Sequence, residues 1–304
     1  MAVITAEERR ASAAAAERRR SGIRNTVIGI IQNVIGVGIF VFVFFPIIWL
    51  IDTSFKTAPD SWAVPVIYIP LHPTLENYQA LMSGQASGDL SQWPHYFMNS
   101  MVTAGVASLL VMTLATIAGY SFARFRFPGA TALLMFLLVS QMLPGPSIFV
   151  SIYLLMSRLD LLDSLPGLVV IYTAFGLPFA TWLATSFLAS IPLEIEEAAQ
   201  IDGGSLFQVF TQIVVPLSKI GLITIAILTF VGAWADYSFA SVLIETQSRW
   251  TATVAMAKFI TDVTISFASI GAAAALLCLP VLILFLFAQR SFVRGLTAGA
   301  LKEF

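Results

Sequence analysis

The sequence predicts an all-α integral membrane protein of six transmembrane helices. Three observations carry this. Of 304 residues, 58% are hydrophobic and only 11% charged, against about 25% charged in soluble domains. The apolar residues gather into stretches long enough for spans, since a crossing helix needs about 20. Between two of those stretches lies one polar-rich segment with helical order, Glu194 to Pro216.

Residues 1–26 form a polar tail carrying Arg9, Arg10, Arg18, Arg19, Arg20 and Arg24. It is too charged to begin an ordinary cleaved signal peptide, so the apolar run that follows is read as a retained anchor. Five stretches lack Asp, Glu, Lys and Arg altogether: Val27–Leu50, Phe97–Tyr120, Thr131–Met156, Leu165–Ala189 and Ala268–Ala288. A sixth, Leu217–Ala240, holds only Lys219 and Asp236, each near an end. The chain thus divides into a tail (1–26), a membrane domain (27–290) and a C-terminal tail (291–304). Six spans put both termini on one side. That side carries the tail arginines, Arg124, Arg126, Lys219, Arg290, Arg294 and Lys302, while Lys56, Arg158, Arg249 and Lys258 fall on the other. The positive-inside rule makes the first side cytoplasmic.

Several spans are expected to break at proline: span three at Pro144-Gly145-Pro146, span four at Pro178 and span six at Pro280. Such breaks persist where neighbouring helices or a cavity satisfy the freed carbonyls. Gly36-Val37-Gly38 and Gly271–Ala275 suit close helix packing. The spans hold hydroxyls, amides and aromatics but almost no charge. Gln141, Tyr172, Trp234, Asp236 and Tyr237 are the candidates to face a solute pathway, and such groups read a neutral, hydroxyl-rich solute. Asp236 stands out because an acid near a span end is costly unless wet or paired. Each of the others, taken singly, reads more readily as an interfacial or packing residue.

Within Glu194–Pro216, Pro192 fits the first position of a short helix ending at Asp202. Glu194, Glu196 and Glu197 fall in its first turns, where the helix dipole favours negative charge. Gly203-Gly204 breaks the helix through the left-handed conformation glycine accepts. Ser205 and Gln208 have the spacing of a capping box for a second helix, whose stripe is Leu206, Phe210, Ile213 and Val214 and which Pro216 ends. Ala198, Ala199 and Gly203 let a partner approach the backbone, and Glu197 offers it a carboxylate. By these features alone, an amphipathic connector lying on the membrane is as good a reading.

The spacing adds more. Glu197-Ala198-Ala199, three residues, Gly203, nine residues, Ile213, one residue, then Val215-Pro216 resembles the EAA loop of ABC-importer permeases, with valine in place of leucine. The resemblance implies the type I ABC-importer permease fold and a coupling helix that docks into a cleft on an ATP-hydrolysing subunit. Glu197, Ala198, Ala199, Asp202, Gly203, Ile213 and Pro216 are then the coupling residues. Gly119–Gly129 and the ending GLTAGALKEF resemble carbohydrate-type, maltose-type members. There the tail reaches the ATPase, which implicates Gly295, Leu296, Thr297 and Gly299. Trp234-Ala235-Asp236-Tyr237 resembles the family's W-N-[DE]-[FY] segment, with alanine for asparagine. The loop between the last two spans touches the solute-binding protein in that family, which implicates Glu245, Gln247, Arg249 and Trp250.

Other chemistry is not signalled. No lysine sits in a phosphate-cradling G-x-x-x-x-G-K-[ST] loop. His72 and His95 lack metal-ligand spacing, and the single Cys278 can form no internal disulfide. A net charge of −1 implies no nucleic-acid surface. The resemblance implies a second permease subunit, two ATPase subunits that bind ATP and Mg²⁺, an external solute-binding protein and membrane lipid as partners, with no cofactor in this chain. The implied function is import of a di- or oligosaccharide by alternating access. An ion-coupled secondary transporter, a permease for a non-sugar solute and a non-transporting scaffold are the alternatives.

Overall fold

The computed structural model describes residues 6–85, 91–142, 145–259 and 266–300, with side chains described except at 6–27, 145–146 and 288–300. Among the described residues every regular element is helical. α1 (Ala6–Ser54) runs unbroken from the polar tail into the first span. Two short helices, α2 (Ala58–Ser61) and α3 (Glu76–Ser83), lead to α4 (Trp93–Arg124). α5 (Ala130–Ser140) and α6 (Gly145–Arg158) precede α7 (Leu165–Ala189). α8 (Leu193–Ile201), α9 (Leu206–Val209), a π turn (Phe210–Val214) and α10 (Val215–Leu217) make the polar segment. α11 (Lys219–Trp234), α12 (Ser238–Leu243), α13 (Ala252–Phe259) and α14 (Phe267–Ala300) complete the chain.

Among the described residues four helices are long and apolar enough to cross a membrane: α1 over Ile28–Ser54, α4, α7, and α14 over Phe267–Phe287. A fifth crossing exists if Leu206–Leu217 and Lys219–Trp234, bent by 73° at Ser218, act as one. The expected third span is instead the pair α5 and α6, each shorter than a full crossing. Pro144 and Pro146 have no N–H to continue the ladder across that point. The expected sixth stretch is also shorter than read, because α11 stops at Trp234 and a separate helix, α12, begins at Ser238.

Pro178 and Pro280, by contrast, do not break their helices; α7 and α14 run through them. In each case a polar side chain from another element takes the carbonyl three residues before the proline. Gln141 Nε2 donates to the Phe175 carbonyl at 2.6 Å. Trp234 Nε1 donates to the Leu277 carbonyl at 3.1 Å. The carbonyls that lose their helical donor are those of Ala174 and Leu276, four residues before each proline, so the two bonds tie a neighbouring element to the adjacent carbonyl beside each proline.

The core is built by small residues. Ala115 and Gly119 of α4 face Ala180 and Ala184 of α7, and Ala107 of α4 packs with Leu168, Ile171 and Tyr172 of α7. A Cβ at Gly119 would lie 2.7 Å from Ala184 Cβ and 2.9 Å from the Thr185 nitrogen, so this crossing demands glycine. α11 closes against the same pair through Leu222 and Ile225. At the other end Leu81, Trp93, Tyr96, Phe259, Ala272 and Ala273 form a second cluster. Gly271 meets α1 there, with the Leu50 carbonyl and Ser54 nitrogen each 3.1 Å from a Cβ placed on it. Gly36 and Gly38 behave differently, since among the described residues nothing beyond the local helix backbone comes within 4 Å of a Cβ at either.

Candidate functional site

The Glu194–Pro216 loop has two limbs folded over a left-handed glycine. In α8, Pro192 stands one position before the first helical residue. Glu194, Glu197 and Ala198 are exposed, whereas Glu196 is 1% exposed. Gly203 has φ +92°, the left-handed region where a Cβ is penalised. Gly204 follows with its α-carbon so near the Ala199 carbonyl that a Cβ would sit 2.8 Å from the oxygen. The capping box forms as the spacing implies: Ser205 N–H donates to Gln208 Oε1 at 2.9 Å, and the Gln208 N–H donates back to Ser205 Oγ at 3.4 Å.

The second limb is one α turn followed by a π turn, not a plain helix. Val215 N–H donates to the Phe210 carbonyl five residues back. A π turn fits an extra residue into the helix and re-aims its side chains. Val209 and Val214 are buried and Phe210 half-buried, while Leu206 stands exposed. The limb does not end at Pro216 but at Ser218, whose Oγ donates to the Val214 carbonyl at 2.8 Å. A cleft of about 370 Å³ separates the limbs, with Asp202, Gly203, Gln208, Gln212 and Ile213 on its walls. Ile201 and Phe207, 85% and 75% exposed, stand beside it. The reading of the sequence missed these two; their signal was an apolar residue off the buried stripe.

Beneath the loop lies a buried charge cluster that sequence reading also missed. Arg124, the last residue of α4, donates through Nε to Glu196 Oε1 at 2.6 Å. Tyr120 Oη donates to Glu196 Oε2 at 2.9 Å. Arg124 Nη2 donates to the carbonyls of Leu188 and Ile191, at 3.0 and 2.9 Å. The Tyr120 ring packs on Phe210 with centroids 4.9 Å apart.

A cavity of about 440 Å³ opens among α5, α7, α11 and α12. Of the five pathway candidates it brings together three: Gln141, Tyr172 and Asp236, with Phe175, Phe179, Thr229 and Phe239. Asp236 is heavily engaged. Its Oδ2 accepts from Tyr172 Oη at 3.0 Å and from the Ala240 N–H at 3.1 Å, and its Oδ1 from the Phe239 N–H at 3.4 Å. It therefore caps α12 while fixing Tyr172, which is how an acid is tolerated there. The structure places Trp234 and Tyr237 outside this cavity. Trp234 is buried between Phe97 and Phe230, and Tyr237 is exposed.

At the opposite end of α7, Asp163 collects the loop between α12 and α13. Its carboxylate accepts from the N–H groups of Glu245 and Thr246 at 3.0 and 2.9 Å and from Thr246 Oγ1. Arg249 Nη1 lies 3.0 Å from Oδ2 and also donates to the Asp163 carbonyl. Burial opposes the charge on Asp163, but the hydrogen bonds from Thr246 and Glu245 and the Arg249 guanidinium outweigh it and hold the pKa below the ordinary value. Gln247 Nε2 donates to Tyr96 Oη at 3.1 Å, and Trp250 Nε1 to the Glu245 carbonyl at 3.3 Å. Asn99 Nδ2 donates to the carbonyls of Ser248 and Trp250, both at 3.0 Å. Of the four residues assigned to this loop, Glu245 and Arg249 are exposed and Gln247 and Trp250 half-buried. The side chains of Gly295, Leu296, Thr297 and Gly299 lie outside the described residues, although the α14 backbone reaches Ala300.

Residues 113–298 match the model of the family described as binding-protein-dependent transport system inner membrane component. The galactooligosaccharides transport system permease protein GanQ of Bacillus subtilis (strain 168) is 32% identical over 263 residues, 86% of this chain and 91% of that protein. The trehalose transport system permease protein SugB of Mycobacterium tuberculosis (strain CDC 1551 / Oshkosh) is 32% identical over 259 residues, 84% of this chain and 92% of its own length. The fold is similar to that of a bacterial ABC transporter involved in the import of the acidic polysaccharide alginate. The TM-score is 0.74 at 21% identity, covering 88% of this chain and 97% of that one. The matched region takes in the two-limbed loop, the cavity and the loop between α12 and α13 together, and the chain belongs to the binding-protein-dependent transport system inner membrane components.

Proposed function

We propose that this chain is the permease subunit of an ATP-driven importer that moves a neutral di- or oligosaccharide across the cytoplasmic membrane by alternating access. The observation that carries the coupling half is the Glu194–Pro216 loop itself, whose cleft is walled by Asp202, left-handed Gly203 and Ile213 and which also exposes Glu197, Ile201 and Phe207. A loop displaying a carboxylate, a side-chain-free backbone and apolar side chains around a cleft is suited to a basic and apolar partner surface. That partner is the ATPase subunit, which supplies ATP and Mg²⁺; this chain contributes no cofactor. Glu197, Ala198, Ala199, Asp202, Gly203, Ile213 and Pro216 make the docking surface.

The substrate half rests on the cavity and the relatives. Gln141, Thr229, Tyr172 and Asp236 supply polar groups, and Phe175, Phe179 and Phe239 supply flat apolar faces, the mix that suits a sugar. Galactooligosaccharides and trehalose are the solutes in the names of the two relatives above. The charge asymmetry supports both termini and the coupling loop on the cytoplasmic side, with 1–26 and 291–304 as tails and the second tail reaching the ATPase. The outer loop at Glu245–Trp250 then faces the solute-binding protein, and a second permease subunit completes the pathway.

The test is a membrane pull-down of the cognate ATPase with wild type, Glu197→Lys and Gly203→Asp, paired with uptake of labelled trehalose, maltotriose and a galactooligosaccharide. Wild type retains the ATPase and imports at least one of these in an ATP-dependent way, and both variants lose retention. ATP-independent uptake that collapses with the proton gradient sinks the proposal.

A further inference from the structure

We propose that Glu196, Arg124 and Tyr120 form the positioning joint that turns movement of the docked loop into movement of the spans. This rests on the reading that Glu194–Pro216 docks the ATPase, but concerns residues that do not face that partner. Glu196 is buried at 1% exposure, and its carboxylate is turned to the end of α4 and not to solvent. Its two oxygens are held by two donors from the last turns of α4, Tyr120 Oη and Arg124 Nε. Arg124 at the same time holds the carbonyls of Leu188 and Ile191, where α7 ends and the chain turns into the loop. Tyr120 reaches the other limb as well, through its ring contact with Phe210. One cluster thus ties both limbs of the loop to the ends of two spans.

The choice of interaction matters. Apolar contacts are non-directional, so a loop resting on α4 through them alone can slide under load. A carboxylate held by two donors of fixed geometry has one arrangement, and a charge-assisted bond is roughly twice as strong as a neutral one. The spans behind the joint leave no slack either. Gly119 lies one residue before Tyr120 and admits no Cβ against α7, and a Cβ on Gly221 of α11 would meet the Phe187 ring at 2.5 Å. A push on α8 therefore reaches α4 and α7 together.

The test uses the complete transporter in proteoliposomes: this chain, its second permease subunit, the ATPase subunits and the solute-binding protein. The variants are Glu196→Gln, which keeps shape but removes charge, Tyr120→Phe, which deletes one hydrogen bond, and Glu196→Asp as the conservative control. ATPase retained, ATP hydrolysed and solute imported are measured for each. With Glu196→Gln, retention stays at the wild-type level while solute imported per ATP falls by about tenfold, the scale of one lost hydrogen bond to a charged group. Tyr120→Phe gives a smaller fall in the same ratio, and Glu196→Asp recovers part of it. A structural role alone predicts import falling only in step with retained ATPase, and that result, or an unchanged ratio in both Glu196→Gln and Tyr120→Phe, overturns the joint. Absence of retained ATPase in wild type itself sinks the docking reading, and the joint with it.

Discussion

Two ion pairs stand at opposite ends of α7, about 37 Å apart at 1.5 Å per residue over its 25 residues. Arg124–Glu196 has side chains only 10% and 2% exposed. Arg249–Asp163 has side chains 50% and 26% exposed. Each joins a guanidinium to a carboxylate, and each gathers backbone groups besides. The inner pair is short of solvent, so each charge depends on its partner; the outer pair shares its charges with water. The inner end of the molecule is therefore fixed by chemistry that fails as a unit, and the outer end by bonds that can be exchanged singly.

The largest expected effect comes from breaking the inner pair. Glu196→Ala leaves the Arg124 guanidinium buried without its carboxylate, and removal of one partner of a buried pair costs about 3–5 kcal/mol. SDS titration of the protein in mixed micelles reads this as an earlier unfolding midpoint. A midpoint equal to wild type removes the distinction between the two ends. Arg249→Ala, the matching change outside, costs about 0.2–1 kcal/mol by the scale of exposed pairs. A larger loss there shows that the outer loop is locked as firmly as the inner one.

The smallest effect sharpens the outer half of the comparison. The Asp163 carboxylate titrates below its ordinary value of 3.8, so it releases its proton more readily folded than unfolded. Its contribution is complete above that ordinary value and is lost as pH falls through the lower, folded one. With selectively labelled threonine, the amide resonance of Thr246 is expected to titrate with a midpoint below 3.8. In Asp163→Asn it stays flat throughout. A midpoint at or above that value means the Thr246, Glu245 and Arg249 contacts do not favour the charged form.

How much of this was legible follows from the range of each signal. Apolar runs are local, and α1, α4, α7 and α14 were readable from them. The hinge at Gly203 and the capping box at Ser205 were readable too, because left-handed backbone and capping need only residues close in the chain. Pro178 and Pro280 were read as breaks, yet α7 and α14 run through them, and beside each proline a donor from elsewhere in the sequence, Gln141 or Trp234, ties in a neighbouring element. The same contacts explain the place of those two side chains. An amide or indole in a span signals that some partner is needed, and the partner can be a carbonyl as well as a solute. Glu196 and Glu197 make the point most sharply. Neighbours on a helix point about 100° apart, so one faces in and the other out, and both read as dipole-favoured acids. Which one is inward depends on Arg124, 72 residues earlier, and no local pattern holds that information. Asp163 and Arg249 were hidden in the same way, 86 residues apart.

The bare flank of α1 has a consequence for how this sequence can vary. None of the most apolar part of Ile28–Ser54 is buried in the chain, and α1 meets Gly271 of α14 near its end, at Leu50 and Ser54. Against lipid, the positions from Ile28 to Phe45 accept any apolar side chain, because acyl tails adapt to every shape. Against a neighbouring subunit they do not, since protein surfaces pack to fixed volumes. A saturation library of this stretch, selected for growth on the transported solute, would divide its positions into indifferent and demanding ones. The demanding ones, Gly36 and Gly38 foremost, would trace the footprint of the adjoining subunit on a helix that carries no mark of it in its own fold.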